Sequence, residues 1–208
     1  MKLFDYNSPI SKFLERVVDL VIINVLWSIC CLPVVTAGAA TVAMYSCIHR
    51  LDTKTGHVVA NYWAAFKENF ATATLFWIGM LIIGGALVLN LYLLYSWDFQ
   101  GKTILFIFIV LIIGVYLMVM AWMYPLLAYY KTTLRKAFGN AVALAGTHLF
   151  QTLEMVLFNI IPLALFLFKT SWFNASLLFW IMIGESIIAQ LCSMVFRTVC
   201  KKYSPDLE

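Results

Sequence analysis

Glu185 stands inside an apolar stretch, "LLFWIMIGESIIAQLCSMVF", with Ser186 beside it and Gln190 near the next turn. A carboxylate at such a depth has three chemical uses. It can relay a proton, hold a cation, or, kept neutral, hydrogen-bond a neighbouring helix. Asn90 and Asn159 lie deep in two other apolar stretches, and Pro162 follows Asn159 in "FNIIPLALF", where it predicts a break in that crossing. Glu185, Asn90 and Asn159 therefore form a candidate intramembrane polar site. It is either the lining of a proton or solute pathway, or a set of interhelical hydrogen bonds. With one carboxylate and no basic partner at that depth, the hydrogen-bonding reading is preferred, and Gly184 is expected to admit another helix closely.

Spacing argues against most other chemistry. The five cysteines, Cys30, Cys31, Cys47, Cys192 and Cys200, form no C-x-x-C pair, and His49, His57 and His148 form no H-E-x-x-H. Cys47 and His49 are two apart and diverge on a helix, so no metal site is assigned. There is no P-loop, no G-x-S-x-G and no Gly-rich dinucleotide turn, so neither catalytic residues nor a cofactor are assigned and the chain is read as a non-enzyme. The formal charge is +4, but the basic residues sit in short clusters between apolar runs, a topology signal and no sign of nucleic acid.

Lipid must be the solvent for the elements that carry these residues. The chain is 63% hydrophobic and 12% charged, with a mean hydropathy of +0.92. A soluble domain of 208 residues cannot hide that much apolar side chain. Runs 71–94, 103–130 and 175–196 are each long enough to span a bilayer. The expected fold is an all-α, polytopic transmembrane bundle forming one integral membrane domain over 1–208, with membrane lipids as its first partners.

The 14 basic residues fall into six groups of three, three, one, three, one and three. Positive charge collects on the cytoplasmic side, so the loops around Lys102 and Lys169 are read as external and both termini as cytoplasmic. Residues 17–49 must then cross an even number of times. As one helix these 33 residues would measure about 50 Å against a hydrocarbon core of about 30 Å. Pro33 and Gly38 favour a turn, which gives six membrane segments, the first two a hairpin broken at Pro33. The alternative is one long kinked helix with an external N-terminus. Ala37-Gly38-Ala39 resembles a signal-peptide cleavage box, but Asp19 and Asn24 interrupt the preceding run and the apolar pattern resumes at 42–48. The segment is read as one that stays in the membrane.

Three amphipathic stretches precede crossings and are expected as short interfacial helices on the cytoplasmic side. The first carries Ile10, Phe13, Leu14, Val17 and Val18 on one face. "NYWAAFKENF" aligns Trp63, Phe66 and Phe70, and "TLRKAFGNAVALAGTHL" aligns Leu134, Phe138, Ala141 and Val142. Trp63, Phe66, Phe70 and Phe138 are candidate partner-docking residues. Trp97, Trp172 and Phe173 are read as anchors at the outer boundary.

The stretches "YNSPISKFLERVVDLVIINVLWSICCLPVVTAGAATVAMY", "AAFKENFATATLFW" and "MYPLLAYYKTTLRKAFGNAVALAGTHLFQTL" together resemble the YesL-like family of small bacterial integral membrane proteins, a family of unknown function. Leu32-Pro33, the small residues 36–40, Phe66 with Asn69, 125–128 and Asn140 follow the family pattern. Tyr129-Tyr130 departs from it, since a basic residue is expected there. The resemblance implies a bacterial cell-membrane protein, and genes of the family often neighbour carbohydrate ABC importers. It thereby implies a non-enzymatic accessory role in oligosaccharide import, with the importer's membrane subunits as partners. The alternative is an autonomous small-solute transporter or channel lined by Asn90, Asn159 and Glu185. The sequence leaves the oligomeric state open.

Overall fold

The computed structural model describes residues 9–51, 57–97, 100–130, 132–167 and 177–202. Trp172, Phe173, Lys169 and both chain ends, used above as topology markers, lie outside the described residues. The described elements are all helical. Helix α1 spans Pro9–Cys31, α2 Ala37–Leu51, α3 Val58–Ser96, α4 Lys102–Tyr129, α5 Leu134–Thr147 and α6 Leu149–Leu167. The last helix, α7, spans Leu177–Cys200 and contains a π-helical turn at Trp180–Gly184.

Helix α1 stops because a proline disfavours helical geometry in the residue before it. Pro33 is extended, at φ −78° and ψ 109°, and opens a 3-10 turn over Val34–Thr36. The Thr36 hydroxyl closes this turn, 2.5 Å from the Cys30 carbonyl oxygen and 2.8 Å from that of Pro33. The chain then doubles back. Trp27 Nε1 donates to Thr41 Oγ1 at 3.1 Å, whereas fourteen residues of straight helix would hold those residues about 21 Å apart.

The returning helix α2 becomes the centre of the bundle, packed by α1, α3, α4 and α7. Its small residues make this arrangement fit. Gly38, Ala39, Ala40, Val42 and Ala43 are buried, and a Cβ on Gly38 would overlap Trp77 and sit 2.6 Å from the Ala73 carbonyl oxygen. Close backbone approach through small residues is how helices associate where the solvent is itself apolar. Trp77 Nε1 donates to the Val34 carbonyl at 2.7 Å, tying the Pro33 turn to α3.

Three helices, α3, α4 and α7, are long and apolar enough to cross a membrane. Helices α5 and α6 make a fourth if they are one span, bent by 107° where they meet at His148. That bend replaces the one expected at Pro162. Helix α6 runs through Pro162 unbroken, since one proline removes a single backbone hydrogen bond and membrane helices tolerate it. Helix α2, with 15 residues, is about 22 Å long.

The amphipathic stretches also differ from the pattern of separate short helices. The first is the opening of α1, and "NYWAAFKENF" is continuous with the 39 residues of α3. Only α5 is a separate helix. It buries Ala137, Ala141 and Ala145, while Phe138 and Val142 stay exposed, so its packed face is one of small residues. Large apolar side chains cover the outside of α3 and α4, from Ile82 and Val88 to Ile104 and Leu111. Such a surface is an aggregation hazard in water and an ordinary one in hydrocarbon.

Candidate functional site

The π turn of α7 is where the polar residues of the interior meet. Five-residue spacing leaves backbone groups without their usual α-helical partners, and the neighbouring helix must supply them. Asn24 of α1 does so. Its side chain is fully buried, at 0% exposure. Its Nδ2 donates to the carbonyls of Trp180 and Ile181, both at 2.8 Å, and its Oδ1 accepts from the Ser186 N–H at 2.7 Å. Both donor hydrogens of the amide and its carbonyl are thereby used. Ser28, one turn further along α1, lies 3.4 Å from the Ile181 carbonyl. Ser186 turns its hydroxyl back to the Ile183 carbonyl at 2.9 Å.

Gly184 ends the π turn. A Cβ there would overlap the indole of Trp180, four residues earlier on the same helix. The glycine expected to admit another helix thus admits a side chain of its own helix, and the reason is local: the widened turn lays Trp180 back along α7.

Glu185 follows directly, half-buried, and lines a groove of about 240 Å³ with Trp27, Ser28, Pro162, Leu177, Trp180 and Ile181. Among the described residues no hydrogen bond or ion pair reaches its carboxylate. The interhelical bonding expected of Glu185 is made instead by Asn24. In the sequence Asn24 is only an interruption of an apolar run. Its signal was the i, i+4 pairing with Ser28, which places two polar groups on one face of α1.

The other two candidates stand elsewhere. Asn159 Nδ2 donates to Met155 of its own helix at 2.8 Å, lies 3.4 Å from Cys192 Sγ, and borders a second groove, of about 160 Å³, with Tyr45, Tyr116 and Tyr124. Asn90 is exposed on α3 and donates to its own helix at Ala86, 2.8 Å away. No described groove brings the three together.

A second polar cluster ties the far end of α7. Arg16 donates to Gln190 Oε1 at 2.9 Å, and Arg197 Nε donates to the Tyr129 hydroxyl at 2.9 Å. That hydroxyl also shares a short hydrogen bond with Ser193, and the His49 ring lies tilted against Tyr129, with centroids 4.2 Å apart. A cation from α7 therefore stands against the α4 position where a basic residue was expected. Nearby, Trp122 Nε1 donates to Thr152 Oγ1 at 2.8 Å in the closed core.

Of the candidate docking residues, Trp63, Phe66 and Phe70 form a ladder of edge-on rings at 5.6 and 5.5 Å. Trp63 and Phe70 are exposed, Phe66 leans on the core, and Phe138 is exposed on α5. The five cysteines are free thiols, and no three His, Cys, Asp or Glu side chains gather as a metal site among the described residues.

Fold and seam define an all-helical bundle of membrane-spanning character, organised on a central small-residue helix and a π-bulged helix clamped by a buried amide. Residues 20–91 match the family model described as "Protein of unknown function, DUF624". The match covers the Pro33 turn, α2, Asn24 and the ring ladder of α3, and leaves Glu185 outside it. No curated protein and no solved structure matches the chain.

Proposed function

We propose that this chain is a YesL-like, multi-pass protein of the bacterial plasma membrane and a non-enzymatic accessory subunit of carbohydrate import, docking onto the membrane subunits of an ABC importer. In this reading residues 17–49 cross twice, the chain has six membrane segments, and both termini are cytoplasmic. One observation carries the accessory role over a conducting one. The buried polar side chains Asn24, Ser46, Thr152, Ser186 and Ser193 all hydrogen-bond within the bundle, as in a scaffold that uses its polar groups to hold helices together, and the Thr74 hydroxyl is a buried exception. The exposed rings of Trp63, Phe70 and Phe138 supply a surface for a partner, since aromatics anchor protein interfaces.

Co-purification in mild detergent, from cells grown on the inducing polysaccharide, tests the docking. Importer subunits should accompany the protein, and recovery of the chain alone beside an intact importer would refute it. Single-cysteine labelling tests the topology: external labelling is expected at Gln100 and Asn174, and none at Asn7 or Asp206.

The transporter reading retains one observation in its favour, the carboxylate of Glu185 without a partner among the described residues. Glu185→Gln keeps shape and hydrogen-bonding capacity. Under the accessory reading it leaves uptake unchanged, whereas loss of proton- or ion-coupled flux in reconstituted vesicles, with normal expression, would replace that reading.

A further inference from the structure

We infer that the groove between α1, α6 and α7 is a binding site for a small hydrophobic organic cation, held by the Glu185 carboxylate between the rings of Trp27 and Trp180. The composition of the groove selects this class. Its lining supplies one carboxylate, one hydroxyl at Ser28, two indoles, and the apolar side chains of Pro162, Leu177 and Ile181. An inorganic cation such as calcium or magnesium needs about six oxygen ligands, and the three side-chain oxygens of Glu185 and Ser28 fall short. An anion would face the carboxylate, and a neutral apolar molecule would leave it bare. An ammonium with an apolar body meets every wall, because its charge pairs with Glu185 while its methyl or methylene groups lie against indole faces that attract cations.

The polar edges of the groove are already committed, which leaves the carboxylate to the ligand. Trp27 Nε1 is bound to Thr41 and the Ile181 carbonyl to Asn24, whereas no described residue binds Glu185. Size limits the ligand as well. About 240 Å³ lies below the roughly 300–1,000 Å³ of pockets for drug-sized molecules, so the site takes one ring and one ammonium group. Leu177 and Ile181 are exposed at its rim, so an amphiphilic cation reaches it from the bilayer side. The π turn belongs to the site in a physical sense. By clamping Trp180 and Ile181, Asn24 fixes the stretch of α7 that ends in Glu185.

The test is isothermal titration of the full chain in nanodiscs, with empty nanodiscs as the baseline. The probe is benzyltrimethylammonium and its comparator neopentylbenzene, the same shape without charge. The wild type should bind the cation on the order of tenfold more tightly than the neutral isostere, because the charge of the Glu185 carboxylate adds to a weaker cation–π attraction from the indoles. Glu185→Asp should keep a preference for the cation, and Glu185→Gln should bring the two ligands within about twofold, the residue of the same cation–π attraction. Leu177→Trp fills the rim without altering the carboxylate and should weaken both ligands. Equal binding of the two ligands by the wild type, or a cation preference that survives in Glu185→Gln, would overturn the proposal, as would undiminished binding in Leu177→Trp. Importer co-purification is not read by this titration, so the docking role and the cation site stand or fall separately.

Discussion

Asn24 and Asn90 are the same residue in two apolar helices, and the bundle treats them in opposite ways. Asn24 sits in the seam between α1 and α7, sealed from solvent, with its whole amide bound to a neighbouring helix. Asn90 lies on the exposed side of α3, where its Nδ2 folds back onto the carbonyl of Ala86, four residues earlier. In the seam the asparagine repairs backbone groups that the π turn has opened. On the arm there is nothing to repair, and the side chain satisfies itself. The difference teaches that a polar residue at membrane depth is defined by the backbone it faces more than by its own chemistry. Glu185 marks a third case, since among the described residues it has neither a partner helix nor a bond to its own.

Asn24→Leu should have the largest effect on this contrast, because it strands the carbonyls of Trp180 and Ile181 and the N–H of Ser186. Each buried unsatisfied group costs about 1–3 kcal/mol, and relaxation of the π turn recovers part of it, so a net loss of about 3 kcal/mol is expected. Unfolding in detergent would read it as a large fall in melting temperature, and an unchanged melt would show that α1 does not clamp α7. Gly184→Ala comes next. The new methyl group collides with the Trp180 indole, and overpacking of this kind costs about 1–3 kcal/mol. Trp180→Leu in the same background should relieve it, with a coupling of at least about 0.5 kcal/mol in a double-mutant cycle, and strict additivity would remove Trp180 as the cause.

Trp122→Phe keeps an aromatic ring but removes the pyrrole part of the buried indole with its donor to Thr152. Hydrogen bonds between membrane helices average about 0.6 kcal/mol and the small cavity adds to this, so a loss of about 1–2 kcal/mol is expected, with a larger one in Trp122→Ala. Asn90→Leu should be smallest, within about 0.5 kcal/mol of the wild type, as for a surface position without outside partners. Equal losses at Asn90 and Asn24 in the same melting assay would erase the distinction between arm and seam.

Composition and charge clustering alone established that this is an all-helical chain needing an apolar solvent, because the apolar excess has no other solution. Pro33 likewise announced the end of α1, since its constraint is local and operates in any fold. From the sequence, the small residues at 37–40 are only turn formers and a family match, whereas the structure uses them for close approach and gives α2 the rank of the helix that α1, α3, α4 and α7 pack around. That rank depends on which faces remain after all the helices associate. The break between α5 and α6 fell at His148, and none at Pro162, because a proline costs one hydrogen bond anywhere but bends a helix only where packing rewards the bend. The packed face of α5 is likewise a tertiary outcome: close helix contact selects the small side chains of Ala137, Ala141 and Ala145, while Phe138, a docking candidate, stays exposed. Most of the site belonged to tertiary structure. Residues 24 and 186 are 162 apart, and no local pattern links an asparagine in α1 to a π turn in α7. The sequence determined that a carboxylate lies in an apolar helix. Only the assembled bundle decided that Asn24 takes up the hydrogen bonds and leaves Glu185 facing a groove, because a buried amide offers both donors and an acceptor to the opened backbone and a carboxylate does not.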